Sequence, residues 1–437
     1  MQAENKEKRA VVLGAYGFIG AACVSALKAE GFQVTGIGRS MRAGLLCDPG
    51  IKWIERDITS TGTYDLSQIL KGVDVVVNAS GALQDGVLDN LKAIHETAIN
   101  QLMEVLSGTD TRFIQISAAG VSEDANTEFM RSKMRGDQKI MESGLDYVIL
   151  RPTIVIGSQA YGGTALLRAC ASTPLIGFRI FPDAPVQTVY VDDVARAVVQ
   201  AARGDIASGT VADLTESEQY RFLDVVRVVR RWQGFPGWKV EAPVPRILIR
   251  SMSLIADGLG WLGWRSPLRT TAIRALEGGI TGDPKAWREA GGKPCRPLKE
   301  TLASIRSTIQ ERWFARIYLV LPMAIAILSL FWIASGVIGL IYRDEAIAAL
   351  TEHGVSTSFA FASVLAGSII DIILGLSILV RKLVRWACIG MIAVSISYMV
   401  GAIIWAPDLW VDPLGPMVKV LPEVMLALMV VALMEKR

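Results

Sequence analysis

A chain of 437 residues is long enough for two or three domains, and a formal net charge of +3 with 20% charged residues argues against a nucleic-acid partner. Hydrophobic residues make up 51% and the mean hydropathy is +0.38, too apolar for an ordinary soluble enzyme; the excess collects after residue 316, which points to a membrane. Two histidines (His95, His353) and five scattered cysteines without C-x-x-C spacing speak against a zinc or haem site, so no metal is expected.

The polar, basic start Met1 to Arg9 has no apolar segment behind it, so no cleavable signal peptide is expected. Val11-Val12-Leu13 then reads as a strand, Gly14-Ala15-Tyr16-Gly17-Phe18-Ile19-Gly20 as a turn, and Ala21 to Glu30 as a helix. Glycines spaced G-x-x-G-x-x-G between a strand and a helix suit a dinucleotide pyrophosphate. Gly14 lets the chain turn, Gly17 lets backbone approach the phosphates, and Gly20 lets helix and strand pack closely. Unpaired N–H groups at the helix start face the anion, so Gly14, Tyr16, Gly17, Phe18, Ile19 and Gly20 are expected to bind cofactor.

Gln33 to Ile37 is a second strand, ending at Gly38-Arg39-Ser40. A site for NAD usually offers an acidic residue here to hold the ribose 2′-hydroxyl. This chain offers Arg39, Ser40 and Arg42, and a guanidinium pairs well with a 2′-phosphate, so NADPH is favoured over NADH. The plainer reading of Arg39 is an exposed loop residue. Ile51 to Ile58 is a third strand, with Asp57 and Ile58 placed to reach the adenine. A helix over Asp65 to Lys71 precedes the apolar strand Val73 to Asn78, whose end Ala79-Ser80-Gly81 is small enough for a cofactor to lie close. Leu91 to Leu106 is a helix with Ile94, Ala98, Leu102 and Val105 along one stripe, and Arg112 to Ile116 is a strand ending at Ser117. Alternating strands and helices imply an α/β fold, a doubly wound parallel sheet.

The glycine motif, Asn78-Ala79-Ser80-Gly81, Ser117 and Arg151-Pro152-Thr153-Ile154-Val155-Ile156-Gly157 together resemble the short-chain dehydrogenase/reductase superfamily. The similarity is to its atypical branch, which includes NmrA-like proteins and the nucleotide-binding accessory subunit of respiratory complex I. It rests on Ser143 to Pro152 and on Val189-Tyr190-Val191-Asp192-Asp193-Val194-Ala195, and it covers about residues 10 to 310. The resemblance implies a Rossmann domain over 8–310, with cofactor contacts also at Pro152, Thr153 and Val155. A small, mostly helical substrate side is implied at about 157–190 and 236–300.

The same resemblance implies a Tyr-x-x-x-Lys pair on one helix face. There the lysine holds the nicotinamide ribose and lowers the phenol pKa, while a serine binds the carbonyl oxygen. This chain has Phe129-Met130-Arg131-Ser132-Lys133 at that register, and no tyrosine lies between Ala118 and Asp146. Lys133 and Ser117 remain as catalytic candidates. Three readings follow: hydride transfer with another proton donor (Ser117 through water, Glu123 or Asp124); nucleotide binding for structure or sensing without turnover; or Phe129 as a core residue beside a surface lysine.

Beyond Tyr161 the chain is rich in Gly, Pro and Arg, and Tyr161 and Arg179 are the first polar candidates for pocket contacts, with a structural or surface role as the plainer reading of each. Phe222, Val225, Val226 and Val229 form the core face of a helix. Leu248, Met252, Ile255, Leu259 and Leu262 mark an amphipathic helix with Arg246 and Arg250 at its start and Trp261 and Trp264 at its end. It suits either a cap over the pocket or a helix lying among lipid headgroups.

Four apolar runs follow, at 317–342, 359–380, 386–405 and 414–434, each long enough to cross a bilayer. Arg381, Lys382, Arg385, Lys436 and Arg437 on one side, against Arg343, Asp344, Glu345, Glu352, Asp408 and Asp412 on the other, predict cytoplasmic termini in a bacterial inner membrane. Ile370-Asp371-Ile372-Ile373-Leu374-Gly375 and Gly415-Pro416-Met417-Val418-Lys419 with Pro422 resemble the DoxX-like four-helix membrane family, implying an all-α transmembrane domain over 316–435. Asp371 lies near the bilayer centre, and Lys419 is spaced to pair with Glu423. The site is read either as a polar contact that fixes packing or as a place for a quinone headgroup or a proton path. The expected partners are therefore the bilayer, a hydrophobic small molecule such as a quinone or lipid carbonyl, and a membrane protein complex.

Overall fold

The computed structural model describes residues 7–86, 89–413 and 415–434. The chain separates into two compact units, one of residues up to 257 with 266–315, the other of 258–265 with 316 onward.

The first unit is built on a seven-stranded parallel sheet. β1 (Arg9–Leu13) is an inner strand, flanked on one side by β2 (Gln33–Gly38) and β3 (Lys52–Glu55). On the other side come β4 (Val75–Asn78), β5 (Arg112–Ile116), β6 (Tyr147–Pro152) and the edge strand Thr210–Leu214. Alternation along β1 explains why both faces are covered. Ala10 and Val12 pack with Cys23, Val24 and Leu27 of α1 (Phe18–Ala29) and with Val194 and Val198. Val11 and Leu13 point the other way, into Leu102, Leu106, Ile140 and Ile149. Buried aliphatics of this kind contribute about 1.5–3 kcal/mol each, which is why a parallel sheet needs helices on both sides.

The other helices of the sheet region are α2 (Met41–Cys47), α3 (Thr63–Leu70), α4 (Ala98–Leu106) and α5 (Glu128–Met141). A five-residue π-helical turn, Ala93–Thr97, precedes α4 where an unbroken helix was expected. The order reverses between β1 and β4, so the crevice for a ligand opens beyond the C-terminal ends of those strands. Of the expected stripe on the helix Phe222–Trp232, Val225, Val226 and Val229 are buried and Phe222 is half-buried. Helix Arg246–Trp261 exposes Ile247, Leu254, Ile255 and Trp261 and buries Ile249, Ser253 and Ala256.

In the second unit, Ile309–Ile341, Thr357–Ser377 and Val384–Trp405 are the helices long and apolar enough to cross a membrane among the described residues. The first begins in the other unit, eight residues before the expected span. The fourth expected run is a helix only over Val420–Leu433, 14 residues. Pro413, Gly415 and Pro416 precede it, and proline lacks the N–H that would extend a helix backwards. An additional helix, Arg343–Glu352, occupies the loop after the first span. The Trp264 indole N–H donates to Leu379 O at 2.6 Å and Arg381 N to Leu262 O at 3.1 Å, so the tryptophan-rich segment belongs to this unit. Leu414, Lys436 and Arg437 lie outside the described residues, as does Met1 to Lys6.

Candidate functional site

The glycine loop connects β1 to α1. Gly14 N donates to Ile37 O (3.0 Å) and Gly17 N to Gly14 O (2.9 Å), closing the turn. Gly14 has φ +69°, a region that side chains rarely adopt, and a Cβ there would lie 2.9 Å from Ala79 O. At Gly20 a Cβ would meet Gly14 O at 2.2 Å, whereas at Gly17 it would meet only that same oxygen, at 3.1 Å. Gly14 and Gly20 therefore serve packing, and Gly17 leaves open space before the first amides of α1. These amides have no intrahelical partner, so the cradle fits a pyrophosphate.

Beyond β2, the Tyr16 ring covers Gly38, and the Tyr16 hydroxyl accepts from Arg39 N at 3.1 Å. Ser40 Oγ accepts from Ala43 N and caps α2. Asp57 Oδ1 accepts from Thr59 N (3.0 Å) and Thr59 Oγ1 (2.7 Å), a local turn beside the buried Ile58. The Arg39 guanidinium pairs with Asp89 at 2.9 Å. A carboxylate thus stands beside Arg39 after all, contributed from 50 residues downstream, where local sequence offered none.

The other end of the crevice is lined by α5 and the ends of β4 and β5. Lys133 Nζ donates to Ile116 O at 3.1 Å and is buried. Desolvation pulls its pKa down to about 8, with Asp137 opposing. Phe129 stands at i−4 with its ring centroid 5.8 Å from that ammonium. Ser117 Oγ donates to Asp137 Oδ2 at 2.8 Å, and Arg151 Nη2 holds the same oxygen at 2.9 Å. Burial raises the Asp137 pKa against the pull of Arg151. The serine hydroxyl is therefore engaged within a buried network. Glu123 is exposed and accepts from Gln138, and Asp124 is exposed. Pro152 and Thr153 are buried and Val155 is half-buried, and Thr153 Oγ1 is bonded to Thr215 Oγ1 at 3.1 Å. Tyr161 stacks on Phe18, with centroids 6.0 Å apart, while Arg179 is exposed on a short strand.

One residue at this end was missed. His95, on the π turn, is only 4% exposed and lies edge-on to Phe129. Its Nδ1 is 2.8 Å from Ser132 Oγ, and its Nε2 is buried with no partner. Burial, then Lys133 and Arg135, pushes its pKa down to about 2, so the ring is neutral. The only signal in the sequence was a histidine on an otherwise apolar helical stripe.

In the membrane unit, Asp371 accepts from Ser335 (2.9 Å) and Tyr398 (3.2 Å), and Glu423 from Trp332 (2.9 Å) and Ser395 (2.8 Å). Both carboxylates are buried. The pairing expected between Lys419 and Glu423 is replaced by these neutral donors, and Lys419 is exposed.

Residues 14–205 match a family model described as NAD(P)H-binding, and residues 329–429 match the DoxX-like family. The chain is similar to a Rattus norvegicus mitochondrial protein, NADH dehydrogenase [ubiquinone] 1 alpha subcomplex subunit 9. Identity is 26% over 314 residues, covering 61% of this chain and 79% of the relative. It is also similar to a ceramide reductase of Caulobacter vibrioides, at 20% over 238 residues, covering 54% and 74%. The fold is shared with the Bordetella bronchiseptica enzyme WbmH in complex with NAD+, at TM-score 0.52 and 19% identity, covering 71% of this chain and 98% of that one. The chain is thus an NAD(P)-binding Rossmann domain, with an oxidoreductase-like fold, fused to a DoxX-like domain embedded in a membrane.

Proposed function

We propose that this protein is a membrane-anchored NADPH-binding module that serves as an accessory, assembly or redox-sensing subunit of a membrane complex rather than as an enzyme of high turnover. One observation carries the reading: the binding half of the family's catalytic pair is kept in Lys133, while its proton-transferring half is Phe129, which has no ionisable group. Ser117 is occupied by Asp137, so its hydroxyl is a poor replacement. NADPH supplies reducing equivalents when bound; the chain's own residues bind and orient it. The glycine loop with Tyr16 to Gly20 takes the pyrophosphate, Asp57 and Ile58 the adenine side, and Arg39 and Ser40 a 2′-phosphate. Ala79, Ser80, Gly81, Lys133 and the Pro152 to Val155 segment line the nicotinamide side.

Similarity to the complex I subunit supports association with a membrane complex. The cationic loop Arg381, Lys382 and Arg385 supports a bacterial inner-membrane protein with its nucleotide unit and both termini in the cytoplasm. The exposed apolar face of helix Arg246–Trp261, with Arg246 and Arg250, suits the headgroup region.

A second reading, a reductase of a hydrophobic carbonyl such as a lipid ketone or quinone, is favoured by the ceramide reductase similarity and by the fusion to a membrane domain. Loss of a general acid typically costs about 10²–10⁴ in rate, which slows such a reaction without abolishing it. The two separate on purified protein in lipid nanodiscs. A binding subunit holds NADPH tightly, oxidises none of it with ubiquinone or long-chain keto lipids, and gains nothing from Phe129→Tyr. Multiple turnovers, accelerated by that substitution, would favour the reductase.

A further inference from the structure

We propose that His95 Nε2 accepts a hydrogen bond from a hydroxyl of the nicotinamide-side ribose, so that His95 and Lys133 together hold that sugar. The inference rests on nucleotide binding in the glycine-loop crevice and is independent of whether the nucleotide is turned over.

The geometry begins with Ser132. Its hydroxyl has Phe129 O within reach as an acceptor, at 3.1 Å, and we therefore assign the proton between Ser132 Oγ and His95 Nδ1 to the ring. With that assignment Nδ1 is the donor and Nε2 keeps its lone pair. The lone pair is buried and unpartnered, a costly state for a polar atom unless a ligand completes it. Its position shows which ligand. A Cβ built on Gly81 would lie 3.7 Å from His95 Nε2 and 3.8 Å from Lys133 Nζ and meets nothing else within 4 Å. Gly81 itself is exposed, in the loop that follows β4. It is also held near the glycine loop, since the neighbouring Ala79 abuts Gly14.

An acceptor and a cationic donor side by side next to Gly81 suit a group that both gives and takes hydrogen bonds. A phosphate, carboxylate or ketone oxygen has no proton for Nε2. A hydroxyl has one, and it can accept from Lys133 at the same time. The neutral state of the ring, imposed by burial and by Lys133 and Arg135, keeps that acceptor available across the physiological range. The π turn explains how the ring comes to be there. Its extra residue pushes His95 O against α5, where a Cβ on Gly136 would lie 2.2 Å away, and wedges the imidazole between Phe129 and Ser132. His95 is thus a binding residue on the ribose; no proton transfer is assigned to it.

The test uses the full chain in nanodiscs and two ligands, NADPH and 2′,5′-ADP, which has the adenosine half but lacks the second ribose. His95→Phe is expected to weaken NADPH by roughly tenfold or more, the range for a lost hydrogen bond to a buried acceptor. It should leave 2′,5′-ADP unchanged, and His95→Gln, which keeps an acceptor, should recover part of the loss. An unchanged NADPH affinity in a His95→Phe protein that still binds 2′,5′-ADP would overturn the proposal. Should His95→Phe fail to fold, the wild-type protein decides by ¹⁵N-histidine NMR, which has only His95 and His353 to resolve. The His95 Nε2 resonance must move with NADPH and stay fixed with 2′,5′-ADP. A resonance that ignores NADPH and moves only with an added long-chain alcohol would assign the hydroxyl to a substrate and sink the ribose assignment. If neither nucleotide binds, the nucleotide reading itself has failed, and this inference goes with it.

Discussion

Asp137 in the nucleotide unit and Asp371 in the membrane unit are both buried, and the chain holds them by opposite means. Asp137 is wholly inaccessible and faces a guanidinium, Arg151, as well as Ser117. Asp371 faces two hydroxyls, Ser335 and Tyr398, and the nearby Glu423 faces an indole and a hydroxyl. A formal cation in the apolar bundle would add a second desolvation penalty, whereas rotatable neutral donors satisfy a carboxyl without one. In the Rossmann unit the cation has another use. It locks α5 to β6, and α5 carries Phe129 and Lys133. The same residue type is thus a fixed strut in one unit and an adaptable polar contact in the other.

The largest expected effect follows from breaking the strut. Asp137→Asn leaves the Arg151 charge without its counter-ion and turns an amide hydrogen toward it or toward Ser117. Removing one partner of a buried pair costs about 3–5 kcal/mol. The melting temperature of the nucleotide unit, followed by NADPH-sensitive fluorescence, should fall clearly. A variant as stable as the parent would mean that Arg151 is solvated well enough to stand alone, and the contrast with Asp371 would disappear.

Next comes the acid response of the nucleotide unit. In the unfolded chain the His95 imidazole takes up a proton near pH 6.5, while in the folded chain it resists protonation down to about pH 2. Stability from the neutral ring is therefore complete above pH 6.5 and is lost progressively as the pH falls below it. By pH 5 the loss is about 2 kcal/mol. Denaturation of the nucleotide unit at pH 7.5 and pH 5 should show this slope, and His95→Gln should flatten it.

What was legible in the sequence has a physical pattern. The run Val11-Val12-Leu13 had to be an inner strand because both alternating faces are apolar, and Gly14 had to follow because the turn needs positive φ. Arg39 meeting Asp89 was not legible, since nothing local marks a contact across 50 residues. Nor was the π turn: Ile94, Ala98 and Leu102 at four-residue spacing suit an α-helix with or without an extra residue, so the inward aim of His95 left no trace. Hydropathy found the membrane helices and misjudged their ends for two reasons. Arg312 and Arg316 are good helix formers although they are charged. Pro413 and Pro416, in contrast, stop a helix inside an apolar stretch.

A smaller effect sharpens the nucleotide side of the contrast. Burial brings the Lys133 pKa down to about 8, and in the proposed site it is the protonated form that would hold a ribose hydroxyl and attract an anion. Its depressed pKa means that protonation is completed only as the pH drops below 8, and bound nucleotide favours that form. NADPH affinity should be level below pH 7 and weaken by up to about tenfold for each pH unit above 8. Titration calorimetry from pH 6.5 to 9.5 would display the break, and Lys133→Met should bind weakly without one.

The smallest effect is expected from Asp371→Asn, the same exchange as in the strut. Ser335 and Tyr398 each carry a hydroxyl that gives or takes a hydrogen bond by rotating, so the amide finds partners where the carboxyl did. The change in stability should stay within about 1 kcal/mol, the net worth of a single neutral hydrogen bond. Thermal unfolding of the helical bundle in detergent, read by circular dichroism, measures it. A loss as large as that at Asp137 would mean that the carboxylate is charged in place and held by more than two hydroxyls. The membrane unit would then need a proton or a cation to fold, and its polar core would resemble the strut rather than differ from it.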